Sequence, residues 1–149
     1  MLTRTILCLC VAIAACGGKS KATESAPSAP DNRSLFDRLG GLPAITAVVD
    51  DFVARTGADT RINMFFTNTD IPRLKQMMVD DICERTGGPC KYKGKSMKDS
   101  HINMKLKTAD FEVFMEDLEA TLDKFKLPAR EKGEVLASFR GNQADVVTQ

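Results

Sequence analysis

The chain has 149 residues, a net charge of +1 and 43% hydrophobic residues, which suits one domain built on one core. Its one histidine excludes a metal centre made from several histidines, and its balanced charges with no basic block leave no electrostatic footprint for nucleic acid. The apolar run near the N-terminus is too short to span a bilayer, which needs about 20 residues.

The first predicted element is an address. Residues 1–15 carry Arg4, an apolar run from Ile6 to Ile13, then Ala14-Ala15 ahead of Cys16. A basic start, a short apolar centre and small residues before the cut mark a secretory signal. Ile13-Ala14-Ala15-Cys16 also resembles the bacterial lipobox, whose cysteine is acylated and becomes the mature N-terminus. Ordinary signal cleavage leaving a free Cys16 is the alternative. Gly17, in place of Asp, suits retention in the outer membrane of a two-membrane cell. The expected location is therefore the surface of a membrane facing away from the cytoplasm. Residues 16–32 are rich in Gly, Ser, Ala and Pro and read as a flexible tether to a domain over residues 33–149.

That domain reads as helices. Ser34 can cap a first helix with Asp37 three residues on, and Gly40-Gly41 breaks it. Pro43 opens a second helix, whose apolar face is Ile45, Val48, Val49, Phe52 and Val53. Gly57 ends it. A short connection carries Met64-Phe65-Phe66, and Asp70 with Pro72 starts a third helix with Leu74, Met77, Met78 and Ile82 inward. Cys83 and Cys90 flank Gly87-Gly88-Pro89, and in an exported protein this pair can close a small disulfide loop. Two separate thiols are the other reading. No CxxCH sequence is present, so nothing supports covalent haem attachment of the c type.

After the glycine-rich turn comes a short helical piece around Met97 and His101. A lone histidine is commonly incidental, but it suffices as the one protein ligand of a haem iron. Thr108 is expected to cap a longer helix with Phe111, Phe114, Met115, Leu118, Leu122 and Phe125 on one face. Pro128 opens the last, which buries Val135, Leu136 and Phe139. No stretch alternates with period two over a useful length, so the class is all-α.

From Ser34 onward the sequence resembles the group I truncated haemoglobins. The resemblance rests on Leu35-Phe36-Asp37-Arg38-Leu39-Gly40-Gly41, Val49-Asp50-Asp51-Phe52, Phe65-Phe66, Arg73-Leu74-Lys75, Gly87-Gly88-Pro89, Tyr92-Lys93-Gly94, Met97-Lys98, His101, and Thr108 before Phe111, all in order. It implies a two-over-two helical sandwich around haem b, with His101 as proximal iron ligand and Phe66 on the haem edge. Phe52, Phe65, Leu74, Tyr92, Met97 and Phe111 take positions that line or support the pocket.

The distal side departs from the family pattern. Where many members have a tyrosine this chain has Val53, and where many have a glutamine it has Met78, preceded by Met77. Bound O₂ carries partial negative charge, and a charge-assisted hydrogen bond to it contributes about 1.5–3 kcal/mol. Val53, Leu74 and Met78 offer no donor, and Lys75 and Gln76 point elsewhere by helical spacing, unless Lys75 folds inward. The resemblance then implies a five-coordinate iron that takes O₂, NO or CO, in oxygen transport or in nitric oxide detoxification of the dioxygenase type with an unidentified reductase. The alternative is a sulfur of Met77 or Met78 at the sixth position, as in a His/Met electron-transfer protein. A helical lipoprotein module that keeps this frame without haem and binds a partner is the non-haem alternative.

Overall fold

The computed structural model describes residues 31–149. The signal, Cys16 and the tether as far as residue 30 lie outside the described residues.

Helix α1, Leu35–Arg38, starts where the sequence places it: the Asp37 N–H donates to Ser34 Oγ at 3.1 Å, and Ser34 Oγ–H donates to the Asp37 carboxylate at 2.7 Å. A cap of this kind contributes about 1 kcal/mol, a large share for a single helical turn. Gly40 and Gly41 follow with φ of 94° and 71°, a left-handed turn that residues with a Cβ resist. Helix α2, Gly41–Ala58, then runs through the core with Ile45, Val49, Phe52 and Val53 buried. A 3-10 turn, Asn63–Phe66, leads to α3, Ile71–Arg85, which Asp70 caps by accepting the Arg73 N–H at 3.0 Å.

Helix α4, Met97–His101, is capped by Ser96, and α5, Thr108–Lys124, carries buried Phe111, Met115, Leu118 and Leu122. Two details of α5 differ from expectation. Its start is held by Asp110, whose carboxylate accepts the Lys107 N–H at 2.9 Å, and not by the Thr108 hydroxyl. Phe125 is the C-terminal capping residue and is exposed, because Lys126 at φ 55° turns the chain out of the helix there. Helix α6, Ala129–Arg140, follows Pro128 and buries Val135 and Phe139, with Leu136 half-buried. One turn not foreseen, α7, Gln143–Val146, closes the chain. No strand occurs among the described residues.

Helix α2 packs on α3, α5 packs on α6, and α2 crosses α5. These two layered pairs form the two-over-two sandwich, and one apolar core joins them. Helix α1 is fastened to α6 by Arg38, whose buried guanidinium pairs with Glu131 and, at 2.5 Å, with Glu134.

Between α2 and α5 the fold buries an acid with no hydrogen-bond partner for one oxygen. Asp117 is 6% exposed and its Oδ2 is unsatisfied. Burial pushes its pKa up, aided by Asp59 and opposed by Arg55 and Arg61. The folded state therefore holds this proton more tightly than the unfolded state. The stability Asp117 contributes is complete below its ordinary pKa of about 4 and is lost as pH rises through the higher folded value. Asp117→Asn is expected to raise the melting temperature at neutral pH, with the gain shrinking toward about pH 4. A gain that is equal at both pH values would show that the charge is not the cause.

Cys83 and Cys90 are joined by a disulfide, with Cα atoms 5.7 Å apart. It ties the end of α3 to the chain leading toward α4. Loop-closure entropy for so short a loop corresponds to about 2.5 kcal/mol. Cys83→Ala with Cys90→Ala is expected to lower unfolding stability by about 2–3 kcal/mol in a denaturant titration. Identical midpoints with and without the bond would contradict this.

Candidate functional site

The inward face of α3 starts the site. Leu74, Met77, Met78, Asp81, Ile82 and Arg85 recur at three- and four-residue steps, and all six line one cavity of about 430 Å³. That is within the range of small-molecule and cofactor pockets, about 300–1,000 Å³. The 3-10 turn supplies Phe65 and Phe66, and α5 supplies Phe111 and Phe114, with Phe139 of α6 beside them. Tyr92, Met97, His101, Met104 and Leu106 form the opposite wall. The lining is mainly apolar, with carboxylates only at Asp70, Asp81 and Asp110.

The chain from Cys90 to His101 is positioned from α3. The Glu84 carboxylate accepts the Tyr92 N–H at 2.9 Å and pairs with Lys91 at 3.1 Å, and these two bonds hold its pKa down. Tyr92 then turns its ring along the wall, and its hydroxyl donates to the Lys95 carbonyl at 2.7 Å. Gly94 makes that turn possible, since a Cβ there would run into the Tyr92 ring. Burial, with Asp81 nearby, pushes the Tyr92 phenol further up, so it stays protonated and keeps donating at neutral pH.

His101 ends α4, half-buried on the cavity wall. Its Nδ1 lies 2.7 Å from the Met97 carbonyl oxygen. A carbonyl can only accept, so Nδ1 donates, and in the neutral ring this tautomer puts the free lone pair on Nε2. Ligating histidines are commonly oriented in this way, by a carbonyl on the far nitrogen.

Of the residues singled out from sequence, Phe65, Phe66, Leu74, Met77, Met78, Tyr92, Met97, His101 and Phe111 come together around the cavity. Phe52 and Val53 do not reach it; they are 1% and 5% exposed in the core. Phe52 acts at one remove, with its ring edge-on to Phe114 at 4.8 Å. Lys75 pairs with Asp50 at 2.9 Å and Gln76 donates to Asp80 at 3.0 Å, so neither offers a donor to the cavity. Sequence reasoning did not assign Phe114, Met104, Arg73, Arg85 or Lys95 to the site. Phe114 had a signal, three residues from Phe111 on the same helix face. Met104 had none, because it follows the turn at Asn103, where φ is 70°.

The residues present fit haem. The cavity is mainly apolar, His101 lies in its lining, and the Arg73 and Lys95 cations stand there without a carboxylate partner among the described residues. Arg85 is already engaged, with Asp81 at 2.5 Å and the Ser138 carbonyl at 3.2 Å.

Comparison with known proteins agrees with this geometry. Residues 34–147 match the family of bacterial-like globins. A group 1 truncated haemoglobin of Tetrahymena thermophila is 34% identical over 112 residues, which is 75% of this chain and 93% of that protein. The truncated haemoglobin GlbN of Mycolicibacterium paratuberculosis is 30% identical over 77% of this chain and 85% of its own length. The ferric crystal structure of Tetrahymena pyriformis truncated haemoglobin superposes with a TM-score of 0.74 at 30% identity, covering 78% of this chain and all of that one. The 2/2 haemoglobin of a Synechococcus species, solved in the cyanomet state with covalently attached haem, gives the same score and identity. With its helical sandwich, its single cavity-facing histidine and this match over nearly all the described residues, the chain belongs to the bacterial-like globin family, among the group 1 truncated haemoglobins.

Proposed function

We propose that the domain binds one haem b through His101 Nε2 and takes up diatomic gases in the apolar cavity. The observation that carries this reading is the 2.7 Å bond from Nδ1 to the Met97 carbonyl, which leaves Nε2 of this cavity-lining residue for the iron. Bound there, haem b supplies an iron that takes O₂, NO or CO, and with one electron from a reductase NO and O₂ give nitrate. Phe65, Phe66 and Phe111 exclude water from the cavity, and Arg73 and Lys95 neutralise the haem carboxylates. Leu74 and Met78 face the ligand side without a donor, which favours rapid O₂ release over storage.

A second reading has Met77 or Met78 supply a sulfur to the iron, favoured by the presence of both on the cavity wall. Absorption spectra of ferric, ferrous and ferrous-CO protein test both readings. A five-coordinate ferrous spectrum is expected. A six-coordinate low-spin spectrum without added ligand would select methionine ligation, and no Soret band would end the haem reading.

The mature protein is proposed to begin at acylated Cys16 on a membrane facing away from the cytoplasm, on the lipobox-like residues 13–16. Intact mass of the native protein showing an unmodified Cys16 would contradict that. Among the described residues no helix is long and apolar enough to cross a membrane.

A further inference from the structure

Positive charge is gathered on one wall of the cavity. Residues 91–107 hold six lysines against a single carboxylate, Asp99, although the whole chain is only at +1, so the remainder is net acidic. All six lysines are exposed. Lys91 pairs with Glu84, and Asp99 is taken up by Ser96, whose hydroxyl donates to it at 2.7 Å. Among the described residues the ammonium groups of Lys93, Lys98, Lys105 and Lys107 hold no carboxylate, and Lys95 stands at the cavity lining. Elsewhere most cations are paired, as with Arg61 to Asp59, Lys75 to Asp50 and Lys132 to Asp123.

The same segment is the wall that carries His101. Tyr92, Met97, His101 and Leu106 line the cavity, while Lys93, Lys98, Lys105 and Lys107 alternate with them and face solvent. The same segment carries Ile102, 55% exposed and next to His101 in sequence. Asn103 and Lys105, both non-glycine residues with positive φ, shape the turn that leaves it there. An exposed apolar residue in a segment of exposed charges of one sign suits a protein interface, which combines apolar and polar surface.

We propose that this lysine wall docks an acidic one-electron carrier protein that reduces the haem, an inference that rests on the haem reading above. In the docked pair one electron leaves the carrier, which is oxidised, and the haem iron goes from ferric to ferrous; no bond is made or broken. Charge complementarity selects an acidic partner and speeds its encounter. A lipid surface meets the same charge but has no electron to give, so the haem site behind the wall selects a redox protein.

Plant-type ferredoxin, a small acidic iron–sulfur protein, serves as the probe with the haem-loaded protein. Binding by titration calorimetry and the ferric-to-ferrous rate by stopped flow are both expected to weaken at least about tenfold between about 20 and 200 mM NaCl. Lys93→Glu with Lys98→Glu and Lys107→Glu is expected to reproduce that loss at low salt, with an unchanged absorption spectrum. The same three positions as arginine should keep wild-type behaviour. Equal binding by the charge-reversed and wild-type proteins would overturn the proposal. So would a wild-type protein that ignores ferredoxin but binds vesicles containing about 30% phosphatidylserine. The spectrum of each sample separates the two failures: absent haem bands refute the haem reading, whereas normal bands without salt-dependent docking refute the lysine wall.

Discussion

His101→Ala is expected to abolish the normal haem spectrum and to weaken haem retention on the order of 100-fold or more, since even loss of an outer partner of a metal ligand costs about 10–100-fold. His101 is the chain's only histidine, and none of the other cavity residues presents a nitrogen with a free lone pair. The fold should survive the change. His101 is half-buried at the end of a five-residue helix, outside the apolar core. Far-ultraviolet circular dichroism should therefore stay helical while the Soret band is lost. Adding imidazole should restore much of the band, because the small molecule fills the space the side chain leaves. A variant with the wild-type spectrum and no need of imidazole would show that another group holds the iron.

Met78→Gln is expected to slow O₂ dissociation about tenfold or more while changing CO dissociation much less. The gain corresponds to one charge-assisted hydrogen bond of about 1.5–3 kcal/mol. Bound CO develops little charge and so gains little from the new donor. Position 78 suits the test, because Met78 lines the cavity and glutamine is close to it in length. Position 53 suits it less. Val53 is 5% exposed in the core, so a tyrosine there would add a ring to filled space, and overpacking of that kind costs about 1–3 kcal/mol. An O₂ off-rate that does not move in Met78→Gln would place the bound gas away from α3. If the unliganded ferrous protein is six-coordinate, Met77→Leu and Met78→Leu would identify the sulfur responsible.

Helix limits were largely legible in the sequence, because caps and breakers act within a few residues. Ser34, Asp70 and the Gly40-Gly41 pair each do locally what their chemistry suggests. The caps that misled did so for local reasons too. Thr108 has the right hydroxyl, but Asp110 reaches the Lys107 N–H and satisfies that end first. The inward stripe of α3 was also readable, since 3.6-residue periodicity fixes which positions share a face.

Only the tertiary structure decided what that face looks onto. Periodicity placed Val49, Phe52 and Val53 inward on α2, but inward there means the core shared with α3 and α5, while the cavity opens elsewhere. Phe114 joins the cavity because folding brings residues of α5 and α3 to one lining, a relation that sequence spacing within one helix does not encode. Charge behaved in the same way. Along the chain the lysines of residues 91–107 are interrupted often enough to look unremarkable. The irregular path through Gly94, Asn103 and Lys105 sets all of them but Lys95 on the outer side of the wall whose inner side holds His101. The sequence alone determined the helices, the glycine turns and the one histidine, because those depend on neighbours in the chain. The composition of the pocket and the side of the molecule that carries the free charge depend on groups distant in sequence, and folding alone brings them together.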